Sequence, residues 1–556
     1  MANPPTHATH SRSSSQGSQH STLVSDDDYA DIPNVQSPLA KDESPRSSTF
    51  AESKHNQETD PCGHVHPYDE TIPHEHSHRT VVLCFDGTGD QFDADNSNIV
   101  QFFSMLKKDD KSEQLVYYQA GIGTYTIPQI ATPWMANFSK TLDMMVGIHL
   151  NAHVMAGYEF LMQNHEAGDK ICIFGFSRGA YTARALAGML HEVGLLPVSN
   201  HQQLPFAYHM YCQDNDAGWN QSRAFKKAFS INVDVEFLGV WDTVSSVGMF
   251  PRKLPFTRAS DNIRYFRQAL ALDEHRFRFR PSTWRWPHPD HEKGVKREHM
   301  ARSVKKGTAS SHHESKATNN RMTDVDEVWF AGCHCDIGGG AVPNGTRHSL
   351  ARIPLRWMIR QCFIANTGIL FHRETFKKIG MDPDTLYPDV QSRPPPIFQD
   401  PCISESILNT VAESSSSSTN DANIRRSSQL TTIPDPPVIS HDDDPTLIVY
   451  TDGGKFQSEE LEDLSDALCP IYDQLDLAKA WWVLELIPQK LHSHDEGDCS
   501  WHEHWTINMG CGREICQQAQ GMKVHRTVKI RMEAEGLCGG KYWPKAKLAD
   551  EPQWID

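Results

Sequence analysis

The stretch that decides the fold is Lys170–Gly179, KICIFGFSRG, in which a short apolar run leads directly into two glycines that bracket Ser177. A G-x-S-x-G pattern between a strand and a helix is typical of a turn that exposes the serine hydroxyl. Gly175 and Gly179 flank the serine because bulky side chains at these two positions would collide with the turn. KICIF predicts the strand and AYTARALAGMLHEVG the helix, so we interpret Ser177 as a candidate nucleophile.

Similar apolar runs occur on both sides of this stretch and alternate with longer amphipathic segments. The predicted strands are Thr80–Phe85, Leu115–Gln119, Lys170–Phe174, Val235–Trp241 and Glu327–Ala331, and the helix-like stretches include Thr182–Val193 and Ala351–Ala365. Buried strands that alternate with helices indicate an α/β protein with a mostly parallel central sheet flanked by helices.

Three segments lack this patterning. Residues 1–76 form a predicted disordered tail rich in Ser, His, Pro and Asp, 285–322 a predicted disordered basic insertion, and 389–445 a predicted disordered low-complexity linker. Such compositions cannot bury enough apolar surface to offset the entropy of ordering. We therefore predict one α/β domain over residues 77–388, completed by a helical and extended part at 446–556.

Composition limits the classes of function. The formal net charge of -18 argues against a nucleic-acid partner, which would require a basic surface. The 13 cysteines are scattered, the N-terminus lacks the apolar core of a signal peptide, and no apolar run reaches the length of a membrane span. We expect an intracellular, cytoplasmic protein without a transmembrane helix, with peripheral contact at a membrane surface left open.

Two further predicted strands end in side chains that a serine nucleophile needs. VEFLGVW leads into Asp242, and EVWFAG leads into a segment with His334 and Asp336, followed by three glycines. Parallel strands bring their carboxyl ends to one edge of the sheet, and the chain order serine, acid, histidine is that of α/β-hydrolases. Asp242 could instead cap the following turn. Asp336 is a rival acid, but its position two residues from His334 favours a role in ordering the loop.

The first predicted strand ends in CFDGTG, which begins at Cys84. A phosphatase with a nucleophilic aspartate would require D-x-D-G-T, and the first aspartate position is Cys84 here. The backbone offers a simpler role, because hydrolases form an oxyanion hole from the amide after the nucleophile and one from an earlier loop. We therefore expect the Arg178 N–H to act with the N–H of Gly87 or Thr88. Asp86 would hold this loop or act as a further carboxylate, and a plain turn is the alternative.

Together these motifs resemble a known family. RTVVLCFDGTG, YYQAGIGT, GFSRGAYTARALAG, FLGVWDTV and EVWFAGCHCDIGGG, in this order, are similar to an α/β-hydrolase domain of fungi and bacteria that is also the catalytic part of type VI secretion phospholipase effectors. The resemblance spans about residues 80–370, and the later IYDQLDLAKAWWVLELIP is similar to fungal members. It implies an α/β-hydrolase-like fold and a Ser-Asp-His ester hydrolase, with Ser177, Asp242 and His334 at the matching positions. The chain departs from the effectors in its long insertions and in lacking an evident secretion adaptor.

We therefore predict a serine-dependent carboxylic ester hydrolase with lipids or other acyl esters as substrates, no cofactor and no metal. Protein partners are not indicated. The alternative is an inactive hydrolase-fold scaffold that recruits partners through its disordered segments, and a metal-dependent phosphohydrolase is a more distant one. The histidine-rich stretch after Cys62 could bind zinc or copper adventitiously, but it lacks the folded surroundings of a functional metal site. The Cys333/Cys335 and Cys511/Cys516 pairs lack further ligands at a recognisable spacing. Trp481 and Trp482 indicate either a core-packed helix or an interfacial anchor.

Overall fold

The computed structural model describes residues 71–74, 77–88, 90–121, 150–213, 215–244, 262–284, 322–398, 456–494, 501–515, 521–534, 541–548 and 551–556. The predicted tail up to residue 70, the basic insertion over 285–321 and the linker over 399–445 lie outside these ranges. So do Gly89 and the Cys62 and Cys516 segments.

The strands of these ranges form one large sheet and two small ones. In chain order they are β1 Thr71–Ile72, β2 Thr80–Phe85, β3 Gln114–Gln119, β4 Lys170–Phe176, β5 Val235–Trp241, β6 Ile263–Ala271, β7 Asp324–Phe330, β8 Phe371–His372, β9 Gln489–His494, β10 Trp501–Thr506, β11 Lys523–His525 and β12 Gln553–Ile555. The large sheet has eight strands in the order β3-β2-β4-β5-β6-β7-β11-β12, and every neighbouring pair is parallel. β1 pairs with β8 and β9 with β10, both antiparallel.

Helices connect these strands. They are α1 Asn98–Met105, α2 Leu150–Asn164, α3 Ser177–Val193, α4 Leu204–Tyr211, α5 Asp216–Phe229, α6 His334–Gly338, α7 Arg352–Ile364, α8 Glu459–Ala467, α9 Gln474–Leu477, α10 Trp482–Glu485 and α11 Arg526–Glu533. Short 3₁₀ turns add to them, including Phe277–Phe279 and Lys479–Trp481. No helix within the described ranges has the length and apolar character that crossing a bilayer requires.

Both faces of the large sheet are buried, as expected of parallel strands covered by helices. Along β2, Val82 and Cys84 face one apolar cluster, while Val81, Leu83 and Phe85 face the other. This alternation follows from the two-residue period of a strand. The helix α3 lies in the second cluster and is buried along nearly its whole length. The fold is thus an α/β-hydrolase-like architecture with a mostly parallel sheet between two helical layers.

The order of the strands gives the sheet one switch point. From β2 the chain moves outward to β3, and then returns to place β4 on the other side of β2 before continuing through β5, β6 and β7. The direction of winding therefore reverses between β2 and β4. Open α/β sheets bind ligands outside the carboxyl ends of the strands at such a switch point, and β4 ends there immediately before Ser177.

The predicted strands are present, with small changes at their ends. Thr80–Phe85 and Val235–Trp241 have the predicted bounds, β3 begins one residue earlier, β4 continues to Phe176, and β7 runs from Asp324 to Phe330. The helix predicted at Thr182–Val193 begins earlier, at Ser177, and the one predicted at Ala351–Ala365 spans Arg352–Ile364. β6, β11 and β12 were not predicted.

Two boundaries of the predicted disordered segments were wrong. Thr71–Ile72 was assigned to the N-terminal tail but pairs with β8, and Ile72 is fully buried. Residues 389–398 were assigned to the linker, yet Arg393 within them is buried in ion pairs with Glu459 and Asp463. In both cases the stabilising contact lies far along the chain, so the local composition did not show it.

Candidate active site

Ser177 lies at the junction of β4 and α3 in a backbone conformation that non-glycine residues rarely adopt, with φ of 58°. The flanking glycines make this turn possible. A Cβ on Gly175 would lie 2.5 Å from the carbonyl oxygen of Gly179, and a Cβ on Gly179 would overlap the carbonyl oxygens of Phe85 and Asp86 in the β2 strand end. The strained serine between two obligatory glycines has the geometry of a nucleophile elbow.

Asp242 follows β5 directly and is fully buried. Its backbone is also in the left-handed region, with φ of 37°, which turns the side chain toward the ends of β6 and β7. The Ala271 N–H donates to Asp242 Oδ1 at 3.1 Å, and His334 Nδ1 lies 2.6 Å from Oδ2. The carboxylate therefore pairs with the histidine that the sequence singled out rather than capping its own turn.

His334 is the first residue of α6, after β7, and is buried. Because an ionised carboxylate only accepts hydrogen bonds, the contact with Asp242 requires the ring proton on Nδ1. In the neutral ring Nε2 is then free to accept a proton. His334 Nε2 is buried and has no hydrogen-bond partner among the described residues. Asp242 thus orients the imidazole through Nδ1, while Nε2 has no hydrogen-bond partner among the described residues.

Aromatic packing brings His334 to the serine turn. The Phe176 ring, on the residue immediately before Ser177, packs on the imidazole with ring centroids 4.7 Å apart, and the Phe279 ring packs on it at 4.8 Å. Ser177 Oγ and His334 Nε2 do not form a hydrogen bond in this arrangement. In enzymes without bound substrate this bond is often long and forms in the substrate complex.

Burial and charge act on the two partners in different ways. Burial alone would raise the pKa of Asp242, but the Arg513 guanidinium and the His334 ring together hold it well below its usual value. Burial lowers the pKa of His334, against the opposing effect of the Asp242 carboxylate. At neutral pH the pair is therefore an ionised acid beside a neutral imidazole, which is the form that accepts a proton from a serine.

The two predicted loop donors differ. The Gly87 N–H donates to the Asp86 carboxylate at 2.8 Å, so this amide is already engaged within its own loop. Of the two amides expected as oxyanion donors, this leaves the Thr88 N–H as the candidate to act with the Arg178 N–H. The Thr88 hydroxyl oxygen is also buried without a hydrogen-bond partner among the described residues.

Asp86 holds the end of β2 in shape. Its carboxylate accepts hydrogen bonds from the Ser97 hydroxyl at 2.7 Å and the Tyr118 hydroxyl at 2.7 Å, besides the Gly87 amide. Burial raises the pKa of Asp86, and these three donors oppose the shift. Because all its contacts stay within the loop and the adjacent elements, Asp86 organises the backbone that lies against Gly179.

Asp336 does not reach the pair of Asp242 and His334. Its carboxylate accepts the backbone N–H of Cys333 at 2.8 Å and that of Tyr472 at 3.1 Å. Burial raises the pKa of Asp336 to about 7. It therefore caps the first turn of α6, the helix that begins with His334, and joins that turn to the segment before α9.

Sequence reasoning missed the charged groups that surround Asp242 and His334. Arg513 donates two hydrogen bonds to Asp242, at 2.6 and 2.9 Å, and Glu274 accepts the backbone N–H of His334 at 3.3 Å while pairing with Arg276 at 2.8 Å. Glu274 lies three residues beyond the end of β6, and because that strand was not predicted, the strand-end argument that found Asp242 did not reach it. Arg513 lies in CGREI, which carries no motif.

The segment with Trp481 and Trp482 is neither a single core-packed helix nor a fully exposed anchor, the two alternatives that the sequence indicated. It is broken into α9, a 3₁₀ turn and α10, and the Trp481 ring lies 5.5 Å from the Phe279 ring that touches His334. Trp482 and Val483, by contrast, are 37% and 66% exposed. Trp481 thus packs one ring away from the imidazole, while the residues after it face outward.

The described cysteines, which include Cys333, Cys335 and Cys511, are free thiols. Within the described part of the chain, no group of three or more His, Cys, Asp or Glu side chains is placed to hold a metal ion.

Comparison with known proteins gives one family match and several weaker similarities. The family described as T6SS, phospholipase effector Tle1-like, catalytic domain matches residues 79–361, just over half of the chain. An uncharacterized protein of Saccharomyces cerevisiae, YEL023C, is 36% identical over 223 residues, which cover 37% of this chain and 33% of the yeast protein. The chain thus spans about a third of the length of this curated relative.

Similarity to solved structures is low. An uncharacterized protein from Pseudomonas aeruginosa is 17% identical with a TM-score of 0.29, over 52% of this chain and 46% of that one. The Tle1 effector bound to the VgrG spike of the type 6 secretion system is 17% identical with a TM-score of 0.26, over 49% of this chain and 53% of that one.

Proposed function

Because the chain belongs to the family of T6SS phospholipase effector Tle1-like catalytic domains, we propose that it is a serine-dependent carboxylic ester hydrolase that acts on lipids. The family match supports a lipase- or esterase-like hydrolase. The proposal adds the residues: Ser177 as nucleophile, His334 as general base and Asp242 as the acid that orients it.

The observation that carries the proposal is the meeting of three strand ends. The 2.6 Å contact between Asp242 and His334 fixes the imidazole, and the packing of Phe176 on the same ring places it beside the Ser177 turn. These residues come from the ends of β4, β5 and β7, which the parallel sheet brings to one edge. A binding module would have no need for a buried acid–histidine pair next to a strained serine turn.

In the proposed reaction, Ser177 Oγ attacks the acyl carbonyl carbon while His334 Nε2 takes the hydroxyl proton. The Arg178 and Thr88 amides donate to the oxyanion, and Asp242 stabilises the imidazolium that forms. His334 then gives its proton to the leaving alcohol oxygen, which leaves an acyl-serine. A water molecule deprotonated by His334 attacks this ester. As the second oxyanion collapses, His334 returns the proton to Ser177 Oγ, which releases the carboxylic acid and restores the serine and the neutral imidazole.

The test is covalent labelling of the full chain by a fluorophosphonate, which reacts with activated serines. We expect labelling of the wild type and of Ser112→Ala, a control at an exposed serine whose hydroxyl donates to Asp110, and no labelling of Ser177→Ala. Hydrolysis of a phospholipid and of a small soluble ester by the same three proteins then separates lipid from general esterase activity. Labelling that persists in Ser177→Ala would overturn the proposal.

A further inference from the structure

Arg513 contacts Asp242 from outside the region that the family model matches. We propose that Arg513 is a positioning residue of the hydrolase: its guanidinium holds the Asp242 carboxylate in the orientation that meets His334. This inference rests on the proposed function, since it concerns the same site. It assigns a role in the reaction to the C-terminal part of the chain, beyond the family match, which ends at residue 361.

The contact is two-pronged. Arg513 Nη1 donates to Asp242 Oδ1 at 2.6 Å, and Nη2 donates to Oδ2 at 2.9 Å. A planar guanidinium that binds both oxygens of a carboxylate fixes its plane as well as its position. Oδ2 is also the atom 2.6 Å from His334 Nδ1. Rotation of the carboxylate would therefore break the contact with the imidazole, and Arg513 prevents that rotation.

Arg513 is itself held by backbone groups from two elements. Nη1 donates to the Ala271 carbonyl at the end of β6 at 2.9 Å, and Nη2 donates to the Phe279 carbonyl. The Arg513 carbonyl accepts the Lys547 N–H at 3.0 Å. The side chain is 3% exposed, so it cannot swing away into solvent. The guanidinium is therefore a rigid reference for the carboxylate.

Charge gives the second reason. Asp242 is fully buried, and a buried carboxylate without a cation keeps a proton instead of ionising. Arg513 supplies the compensating charge, so the resting acid–histidine pair is neutral overall when the imidazole is neutral. The same cation disfavours a second positive charge on His334. Removing the Arg513 guanidinium should therefore raise the pH at which the Asp242–His334 pair loses its proton, whether that proton is on the carboxylate or on the imidazole.

The charged groups near His334 are few. Those that act most strongly on it are Asp242, Arg276 and Glu274, and Arg513 contacts the Asp242 carboxylate. The neighbouring segments carry further charged side chains, namely Arg178 next to Ser177, Arg278 and Arg280 on either side of Phe279, and Asp336 on α6 itself. Glu274 and Arg276 form an ion pair at 2.8 Å and largely offset each other. Arg513 is the cation that contacts Asp242 directly, so its removal should dominate any change in proton affinity of the pair.

A buried arginine need not act on a reaction, and the same part of the chain supplies the contrast. Arg531 in α11 is also 3% exposed, but its Nη1 donates to the backbone carbonyls of Ala467 and Cys469, both at 2.6 Å. It joins two C-terminal elements and makes no contact with Asp242 or His334. Arg531→Met is therefore the matched control for the loss of a buried C-terminal guanidinium.

The experiment measures the rate of fluorophosphonate labelling of Ser177 against pH for the full chain and its variants, normalised to the folded fraction from thermal unfolding. In Arg513→Met we expect the labelling rate to fall by up to about 100-fold. The acid limb of the curve of labelling rate against pH should move upward by about one pH unit. Arg513→Lys keeps the charge but not the two-pronged contact, so the limb should stay near its wild-type position while the rate falls. Arg531→Met should lower the unfolding temperature and leave the limb and the rate of folded protein unchanged.

The outcomes separate the two proposals. A wild type that is not labelled at Ser177 overturns the proposed function and this inference together. If the wild type is labelled and both Arg513→Met and Arg513→Lys have its labelling rate and its acid limb, the role of Arg513 is overturned and the proposed function stands. If Arg513→Met does not fold, the result for Arg513→Lys decides: a wild-type rate in that variant contradicts positioning. In an Asp242→Asn background the loss from Arg513→Met should largely disappear, and an undiminished loss would indicate a structural role only.

Discussion

Replacing Gly175 by alanine tests whether the serine turn must be as tight as it is. The added Cβ would lie 2.5 Å from the Gly179 carbonyl oxygen and 2.6 and 2.7 Å from Ala180 Cα and N, all backbone atoms of the first turn of α3. Ordinary contact begins near 3.4 Å, so this turn must move away by up to about 0.9 Å. Ser177 lies on that turn and moves with it.

We expect two effects of different size. Overpacking of this kind costs roughly 1–3 kcal/mol of the free energy of unfolding. A displacement of about 1 Å at the reacting atom can cost on the order of 100-fold in rate, so kcat/KM for ester hydrolysis should fall by about that factor in protein that is still folded. The loss of activity should therefore greatly exceed the loss of folded protein.

The assay compares kcat/KM and the free energy of unfolding in urea for Gly175→Ala and for Ala187→Gly. The control removes a methyl group from the same buried helix and weakens it by about 1 kcal/mol without pushing on the turn. Gly175→Ala that folds with wild-type kcat/KM would refute the reasoning, because it would show that the position of Ser177 is not set by contact with Gly175. Equal losses of activity in both variants would refute it as well.

Three further predictions address the acid, the base and the cap. Asp242→Asn should lower kcat by up to about 10⁴-fold at pH 7 with little change in KM, since an amide cannot hold the Nδ1 tautomer of His334; steady-state kinetics that show less than a tenfold loss would contradict it. The pH profile of kcat/KM should lose activity as the pH falls through the pKa of His334, which burial holds below 6.5, so an acid limb centred above pH 7 would contradict the assignment of the base. Burial raises the pKa of Asp336 from 3.8 to about 7, so its contribution to stability is lost as the pH rises through that range. In urea unfolding at pH 4.5, 5.5 and 6.5, the free energy of unfolding of wild type should therefore fall relative to that of Asp336→Asn, by at most about 1.4 kcal/mol per pH unit. The same pH dependence of the free energy of unfolding in both proteins would contradict this.

The strand ends were predictable because their signals are local. Val235–Trp241 is an apolar run that ends in a polar residue, and Lys170–Phe176 ends in a glycine-bracketed serine. The strand β6 was missed because Arg267 and Gln268 interrupt its apolar pattern. Both are buried, and their partners lie on other elements: Arg267 Nε donates to Gln361 at 2.8 Å, and Gln268 Nε2 to the Ser282 carbonyl at 3.1 Å. In a sequence, a polar residue predicts an exposed position, and only its partner in the fold shows that it is buried.

The same limit applied to the site. Ser177, Asp242 and His334 each follow a strand, so a parallel sheet was enough to place them at one edge. The engagement of the Gly87 amide by Asp86 depends on a side-chain orientation that the motif does not encode. Arg513 has no signal in its own neighbourhood, and its partner is 271 residues away.

That separation has a consequence for the order in which the protein is made. At about 5–20 residues per second, the ribosome needs on the order of 10 to 60 seconds to pass from Asp242 to Arg513, which lies 271 residues later. Once His334 has also been made, the nascent chain carries its serine, acid and histidine, but the acid is without its guanidinium until Arg513 follows. If Arg513 has the role proposed for it, the proposed ester hydrolysis stays slow until the C-terminal segment has emerged and docked.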